Sequence, residues 1–269
     1  MRPHRRLGWN PSRPDPRDAY FAPPNRFGLG LPSIHSNRAI CSPVENQGGL
    51  GSCTGNATVG MLEALMNREI HKKSGKPTPH FVDLSRLFVY WWARKIGGYP
   101  VTEDTGAQIR DCLKALAKHG VCPEELHPYG EEEDFWVRKP SVIAEESARN
   151  RQILRYFRLD QKGPPTARAL EWTLSRGYLV AFGFSVPEGF EDDILKGNGV
   201  MSQVTKATRY DGGHAVALIG YDSKRKLFEI RNSWGTEWGD AGHFWMPYAT
   251  LLDAGIADDF WFVARQELG

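Results

Sequence analysis

The chain has 269 residues, of which 41% are hydrophobic and 25% charged, so it can bury a large core and is not a disordered protein. Its 34 basic and 32 acidic residues leave a net charge of +2, too small to indicate binding to nucleic acid or an anionic membrane. No apolar run has the length of a secretory signal or a membrane span. We therefore expect no nucleic-acid or membrane partner, and a protein that is cytoplasmic or exported without a Sec-type signal peptide.

Residues 1–39 differ in composition from the rest of the chain. They contain seven prolines and seven arginines against two acids, which gives this segment a local charge of +5. This composition predicts an extended N-terminal arm in front of a domain that spans residues 40–269. The arm has two interpretations. It is either a flexible, solvated tail or the pro-segment of a zymogen, bound to the chain's own cleft.

Helical patterns dominate the first half of the chain. Apolar residues at spacings of three and four predict an amphipathic helix that begins at or beside Cys53. Similar patterns predict helices at 87–91 and 109–117, and Gly120 ends the second of these. The predicted buried face of the first helix consists of Ala57, Met61, Leu62, Leu65, Met66 and Ile70.

Short apolar runs bounded by Gly, Asp and Asn follow residue 178 and predict strands. These runs lie at 178–184, 214–221, 226–230 and 260–264. Because helices and strands are segregated rather than regularly alternating, the fold class predicted is α+β with two lobes. We expect a helical lobe at about residues 52–175 and a β lobe at about residues 178–265.

Cys53 is a candidate nucleophile because it follows a glycine-rich loop and stands at the predicted helix start. The free amides and the dipole at a helix N-terminus stabilise a thiolate and lower the pKa of the thiol. An isolated cysteine is nevertheless more often a buried structural residue, so further motifs must decide. The four cysteines show no C-x-x-C spacing and the chain has no H-E-x-x-H motif, so we expect no metal and no cofactor.

Three motifs in one order resemble those of papain-family cysteine peptidases. They are Gln47-Gly-x-x-Gly-Ser-Cys53, the histidine motif at 213–221 and the asparagine motif at 231–239, and the resemblance extends over about residues 43–264. It implies a papain-like two-lobed fold with a helical N-terminal lobe and an antiparallel, β-rich C-terminal lobe. It also implies that the protein is a thiol protease and a bacterial member of the family, and that it acts on peptide or protein substrates.

The resemblance also implies roles for individual residues. Cys53 attacks the peptide carbonyl as a thiolate, and His214 keeps it ionised and later protonates the leaving amine. Asn232 holds the imidazole in orientation, and Gln47 joins the Cys53 amide in an oxyanion hole. The expected reaction is peptide hydrolysis through a thioester acyl-enzyme, by an endopeptidase.

The same resemblance implies roles for four further residues. Trp234 shields the histidine–asparagine pair from water, and Trp238 borders the leaving-group side of the cleft. Gly106 pairs with the substrate backbone. Asp258, or its neighbour Asp259, lies near the base of the main specificity pocket, where an acid favours a basic substrate side chain.

The sequence departs from the family pattern at two positions beside the nucleophile. Leu50 replaces a cysteine that normally forms a disulfide, and Thr54 replaces an aromatic residue. About forty residues of this sequence precede the core, fewer than the long helical pro-domain of the family has, so we expect the arm to act by another geometry if it is a pro-segment.

Other functions remain open from the sequence. The same triad serves acyl transfer of the transglutaminase type, and the scaffold could belong to a non-catalytic peptide-binding protein. Residues 51–55 also match the G-x-C-x-G form of an α/β-hydrolase elbow. That elbow is disfavoured because no hydrophobic strand precedes it.

Overall fold

The computed structural model describes most of the chain, in eight stretches. These are residues 6–21, 30–74, 82–130, 132, 134–153, 155–160, 163–205 and 207–264. Within them, helices and antiparallel strands form the predicted α+β fold. No helix in these ranges is both long and apolar enough to cross a bilayer.

Four helices make up most of the first half: α1 (Cys53–Ser74), α2 (Arg86–Ile96), α3 (Ile109–Lys118) and α4 (Val142–Ala148). The first three confirm the helical patterns. The Ser85 hydroxyl caps α2 by accepting the amide hydrogen of Phe88, which satisfies one of the free amides at that helix end. Gly120 follows α3 with a φ of +77°, a conformation that suits glycine at the end of a helix.

Helix α1 is more buried than its sequence pattern predicts. Residues 53–65 are all buried, because α1 packs against α2 and α3 on one side and against the sheet on the other. The prediction of a single buried face is therefore wrong for this part of the helix. Ile70 was assigned to that face, yet it is 39% exposed, since the last turns of α1 extend beyond the core.

The strands form one antiparallel sheet in the order β2-β7-β3-β4-β5-β6, with β1 paired to β4. Strands β3, β4, β5 and β7 confirm the four predicted runs, whereas the sequence pattern does not predict β1, β2 and β6. The strands are β1 (Ile34–Ser36), β2 (Arg155–Arg158), β3 (Val180–Pro187), β4 (Tyr210–Asp222), β5 (Leu227–Arg231), β6 (His243–Pro247) and β7 (Ala257–Ala264).

Three short helices accompany the sheet: α5 (Ala167–Ser175), α6 (Phe190–Lys196) and α7 (Tyr248–Leu251). Aromatic residues fill the space between these elements, as in the stack of Phe182 on Phe260 at 5.3 Å between ring centroids. Strand β1 lies within the range predicted as an arm, and Ile34 stands opposite Asp222 of β4. The boundary between arm and domain at residue 39 stays a prediction.

Candidate active site

Cys53 is the first residue of α1 and is fully buried. The loop before it is tied to its surroundings on two sides. The Gln47 amide donates to the Ser233 carbonyl at 2.9 Å, and the Gly51 amide donates to Asp104 Oδ2 at 2.9 Å. The amide of Ala215 on β4 faces the Cys53 thiol. The start of α1 and the His214 end of β4 therefore meet at the thiol.

His214 lies on β4, opposite Phe184 of β3, and is fully buried. Its Nε2 is 2.7 Å from Asn232 Oδ1. Because an amide oxygen only accepts, this geometry places the hydrogen on Nε2. The Trp234 ring is stacked on the imidazole, with 4.9 Å between centroids and 28° between planes, and is 3% exposed. The pair is thus oriented by a hydrogen bond and covered by a ring.

Gln47 presents its side-chain nitrogen to the cleft. Its Oε1 accepts a hydrogen bond from the Ser233 hydroxyl at 2.6 Å, which fixes the orientation of the amide. Its Nε2 donates to the Leu50 carbonyl at 2.8 Å and to the Arg6 carbonyl at 3.1 Å. The second acceptor is a peptide carbonyl from the N-terminal part of the chain.

Residues 6–12, which we call the cleft segment, run through the space between these groups as an extended segment. The Gly8 carbonyl accepts from the Ala107 amide at 2.9 Å, and the Trp9 amide donates to the Gly213 carbonyl at 3.0 Å. The Gly8 amide faces the Cys53 thiol. A Cβ added to Gly8 would lie 1.9 Å from the Gly51 carbonyl oxygen, so this position admits only glycine.

The Trp9 side chain fills a pocket whose walls include two glycines. A Cβ on Gly183 would lie 1.9 Å from the indole, and one on Gly213 would lie 2.8 Å from it. At the base, Trp9 Nε1 donates to Asp259 Oδ2 at 3.2 Å, and the Ser12 hydroxyl donates to the same oxygen at 2.8 Å. The pocket is thus an aromatic-sized space that ends in a carboxylate.

Asp259, rather than Asp258, is the acid at this base. Gly183 stands opposite Asp258, and Ala181 stands opposite Trp261, so β7 carries one extra residue at this point. Asp259 has a φ of +67° and is fully buried, whereas the Asp258 side chain is 49% exposed and lies 3.4 Å from Arg158. The bulge turns Asp259 inward, which simple alternation along a strand does not predict. A preference of this pocket for basic side chains stays a prediction.

The chain is similar to known cysteine proteases in sequence and in structure. The family model of papain family cysteine proteases matches residues 33–263. The structure of xylellain, a cysteine protease from Xylella fastidiosa, is 34% identical, covers 97% of this chain and 96% of its own, and gives a TM-score of 0.81. A peptidase C1-like protein of Acanthamoeba polyphaga mimivirus is 33% identical over 222 residues, 81% of this chain and 68% of its own. The chain belongs to the papain family of cysteine proteases.

More distant papain-family relatives are longer proteins. Pro-cathepsin H of Mus musculus is 27% identical over 76% of this chain and 56% of its own length. Thiol protease aleurain of Arabidopsis thaliana is 28% identical over 81% of this chain and 55% of its own. The chain thus spans just over half the length of these two relatives. The two-lobed α+β fold predicted from the motifs is confirmed as the fold of this family.

The Cys53 thiol differs from the expectation for a papain-family nucleophile. Burial raises the pKa of Cys53 to about 11, although the amides of Ala215, Gly8 and Thr54 oppose the rise. A helix N-terminus alone predicts a lowered pKa. The difference arises because the thiol is buried where the start of α1, β4 and the cleft segment meet, and Gly8 of that segment lies 45 positions away, a contact that local sequence does not reveal.

The remaining predicted site residues lie close to this centre. Gly106 has a φ of +70°, and a Cβ there would meet the Gly8 carbonyl oxygen at 2.3 Å. Trp238 packs edge-on against Trp234 at 5.1 Å and is 5% exposed. Its position on the leaving-group side stays a prediction. Leu50 and Thr54 are buried beside the nucleophile, and all four cysteines are free thiols.

Sequence reasoning missed two residues that organise the site. The Tyr90 hydroxyl donates to Asp104 Oδ1 at 2.5 Å and accepts from the Gly106 amide at 3.0 Å. Since Asp104 also accepts from the Gly51 amide, the two side chains join the Cys53 loop to the Gly106 loop. The sequence offers a weak signal only, a tyrosine in an apolar helix pattern and an acid two residues before the predicted substrate-binding glycine.

Proposed function

We propose that the chain is a thiol-dependent endopeptidase with Cys53 as nucleophile. The thiolate sulfur bonds to the carbonyl carbon of the substrate, the carbon–nitrogen bond breaks, and His214 gives its proton to the departing amine. Water then cleaves the thioester, and its proton returns to His214 while the thiolate leaves. Asn232 supports this cycle because its 2.7 Å hydrogen bond holds the imidazole in one orientation.

The contact between Gln47 and the Arg6 carbonyl carries this proposal. An oxyanion hole needs a donor about 2.7–3.1 Å from the position where charge develops on a carbonyl oxygen. The Gln47 Nε2 atom donates to a peptide carbonyl at 3.1 Å beside the start of α1. The site therefore already holds a peptide group in a manner that suits a peptide substrate.

We propose further that the cleft segment keeps the enzyme latent, as a pro-segment does. Gly8 covers the thiol, Trp9 fills the pocket that ends in Asp259, and Arg6 occupies the Gln47 donor. A substrate needs each of these positions. Displacement of the segment would expose Cys53 to solvent and substrate and lower the pKa of its thiol, since burial is the main cause of the raised value.

Hydrolysis of a fluorogenic dipeptidyl amide under reducing conditions tests both proposals. The comparison uses the full chain, Gly8→Ala, Gly8→Ala with Cys53→Ala, and Arg13→Ala, which alters an exposed arm residue. Because a Cβ at Gly8 collides with the Gly51 backbone, we expect Gly8→Ala to be at least tenfold more active than the full chain. Arg13→Ala should match the full chain, and the double variant should be inactive.

The two proposals fail differently in this experiment. Equal activity of the full chain and Gly8→Ala would contradict latency but not peptidase action. If none of the proteins that retain Cys53 hydrolyses the substrate, the peptidase proposal is wrong. Acyl transfer, assayed with an added amine acceptor, would then become the better hypothesis.

A further inference from the structure

Residues 18–21 occupy a second site, on the outer edge of the sheet. Strand β2 is the terminal strand of the sheet, so only one of its edges pairs with β7. On the other edge, the Arg158 amide donates to the Ala19 carbonyl at 2.8 Å, and the Phe21 amide donates to the Arg158 carbonyl at 2.9 Å. An open strand edge pairs readily with an extended peptide, and residues 19–21 are paired in that way.

Asp18 is held by two buried guanidinium groups. Its Oδ2 atom lies 2.7 Å from Arg110 Nη2 and 3.7 Å from Arg158 Nη1. The three side chains are only 4%, 5% and 8% exposed, respectively. Arg158 is itself positioned by two hydrogen bonds of 2.8 Å to Asp160. The protein thus presents an organised pocket for one carboxylate, with the charge of the ligand largely removed from water.

Phe21 lies in a pocket of aromatic rings. It stacks on Trp172 at 5.4 Å between centroids and meets the edges of Phe262 at 5.2 Å and Phe157 at 6.1 Å. These three rings come from α5, β7 and β2. Asp18 and Phe21 are three positions apart in an extended chain. Their side chains therefore reach two different pockets, one for a carboxylate and one for an aromatic ring, on either side of the paired backbone.

We infer that this surface is a peptide-binding site for Asp-x-x-Phe segments and that it anchors the arm independently of the cleft. We call it the anchor site, formed by Arg110, Phe157, Arg158, Trp172 and Phe262. The contacts of the cleft segment come mainly from the loops around Cys53, Gly106 and Gly213 and from Asp259 of β7. Arg110 touches both segments, since its amide donates to the Ser12 hydroxyl at 3.4 Å.

The anchor site makes the cleft segment a tethered ligand. Only five residues, 13–17, separate the cleft segment from Asp18. A short link of this kind gives a high effective concentration, so the cleft segment can leave Cys53 and rebind while residues 18–21 stay in place. The inhibitory consequence rests on the proposed function, but the binding of the peptide does not.

Binding of a peptide in trans tests the anchor site without any catalysis. The receptor is the full chain with Cys53→Ala, Asp18→Asn and Phe21→Ala, which weakens its own anchor segment. The probe is a fluorescein-labelled peptide of residues 14–21, measured by fluorescence anisotropy. Matched peptides carry Asp18→Asn or Phe21→Ala. We expect saturable binding of the unaltered peptide and at least tenfold weaker binding of both altered peptides.

Changing only the peptide keeps receptor folding constant across the comparison. A circular dichroism spectrum equal to that of the Cys53→Ala chain checks that the receptor is folded, and that chain serves as receptor if the spectra differ. Its intact arm should then compete and weaken peptide binding. Equal binding of all three peptides, or no saturable binding to either receptor, would overturn the inference.

An activity measurement separates this inference from the proposed function. In the full chain with intact Cys53, Phe21→Ala should raise amide hydrolysis at least threefold, because the cleft segment loses its tether, whereas Arg13→Ala should leave it unchanged. Adding the peptide of residues 14–21 should not inhibit the Phe21→Ala enzyme, since the peptide lacks the cleft segment. If no variant hydrolyses the substrate, the peptidase proposal fails and the anisotropy result still decides the anchor site.

Discussion

The two walls of the cleft are held by different kinds of contact. The wall that carries Cys53 and Gly106 consists of loops joined by the polar side chains of Asp104 and Tyr90. The wall that carries His214 is a strand, and aromatic rings cover it. Loops have no regular backbone pairing, so side-chain hydrogen bonds must place them. A strand already places its residues, and rings there keep water from a polar pair. Substitutions on the two walls should therefore have different effects. Those on the His214 wall should mainly lower stability, whereas those on the Cys53 wall should mainly impair kinetics.

The largest effect should come from removing the ring that covers His214. Trp234→Ala deletes a side chain that is 3% exposed and contacts Phe190, Trp238 and the imidazole. Loss of a buried tryptophan costs about 3–5 kcal/mol of unfolding free energy, because a cavity remains. Urea denaturation of the Cys53→Ala chain, with and without the substitution, measures this cost.

Trp234→Phe is the matched control for that experiment. It keeps a ring over the imidazole and should lose less than half as much stability as Trp234→Ala. Equal stability of the alanine variant and the parent chain would show that the aromatic cover does not support this wall.

The next largest effect concerns the polar wall. Gln47→Ala removes the Nε2 donor, and loss of one oxyanion donor lowers kcat about 10²–10³-fold in other hydrolases. We expect this loss in the Gly8→Ala background, with little change in KM. Steady-state kinetics on a dipeptidyl amide measure it.

Ser233→Ala serves as a companion variant, because it removes only the hydrogen bond that orients Gln47 Oε1. It should lower kcat about tenfold, less than the direct loss of the donor. A Gln47→Ala enzyme with unchanged kcat would show that this amide does not stabilise the transition state.

The third effect concerns the ionisation of Cys53 under the cleft segment. A raised pKa of about 11 means that little thiolate exists at neutral pH and that the thiolate fraction grows as pH rises toward that value. In Gly8→Ala the thiol gains solvent, so its pKa should fall and its alkylation by iodoacetamide should begin at lower pH. Mass spectrometry of the peptide that contains Cys53 follows the reaction.

Cys41 and Cys122 provide internal references, since their thiols are free and their raised pKa values arise from burial and from groups other than Cys53. Their alkylation profiles should not change between the two proteins. Identical Cys53 profiles in the full chain and in Gly8→Ala would show that the cleft segment does not control the ionisation of the thiol.

The parts of the site that sequence could predict are those encoded by short motifs. The start of α1 at Cys53 and the strand through His214 follow from local apolar spacing and flanking glycines. The sequence left an arm bound to the cleft as one of two interpretations but did not indicate which residues would lie there, because Gly8 and Trp9 contact loops about a hundred and two hundred positions away through backbone hydrogen bonds. Such contacts leave no pattern in a single sequence.

A similar limit applies to the acid at the base of the Trp9 pocket. The sequence narrowed the choice to two neighbours, but a bulge in β7 decides which side chain turns inward. Bulges depend on how one strand is paired with the next, so they follow from tertiary structure. The same reasoning applies to Tyr90, whose role depends on a loop that begins after its own helix ends.

The smallest effect should come from that tyrosine. Tyr90→Phe keeps the ring but removes the hydroxyl that links Asp104 to the Gly106 amide. The hydroxyl makes two hydrogen bonds, and a hydrogen bond to a charged group such as the Asp104 carboxylate contributes about 1.5–3 kcal/mol. If Gly106 pairs with substrate, the loosened loop should raise KM of the Gly8→Ala enzyme about three- to tenfold while kcat falls less than twofold. A loss confined to kcat would instead mean that Tyr90 supports the Cys53 loop alone, and the polar wall would then act through the nucleophile rather than through substrate binding.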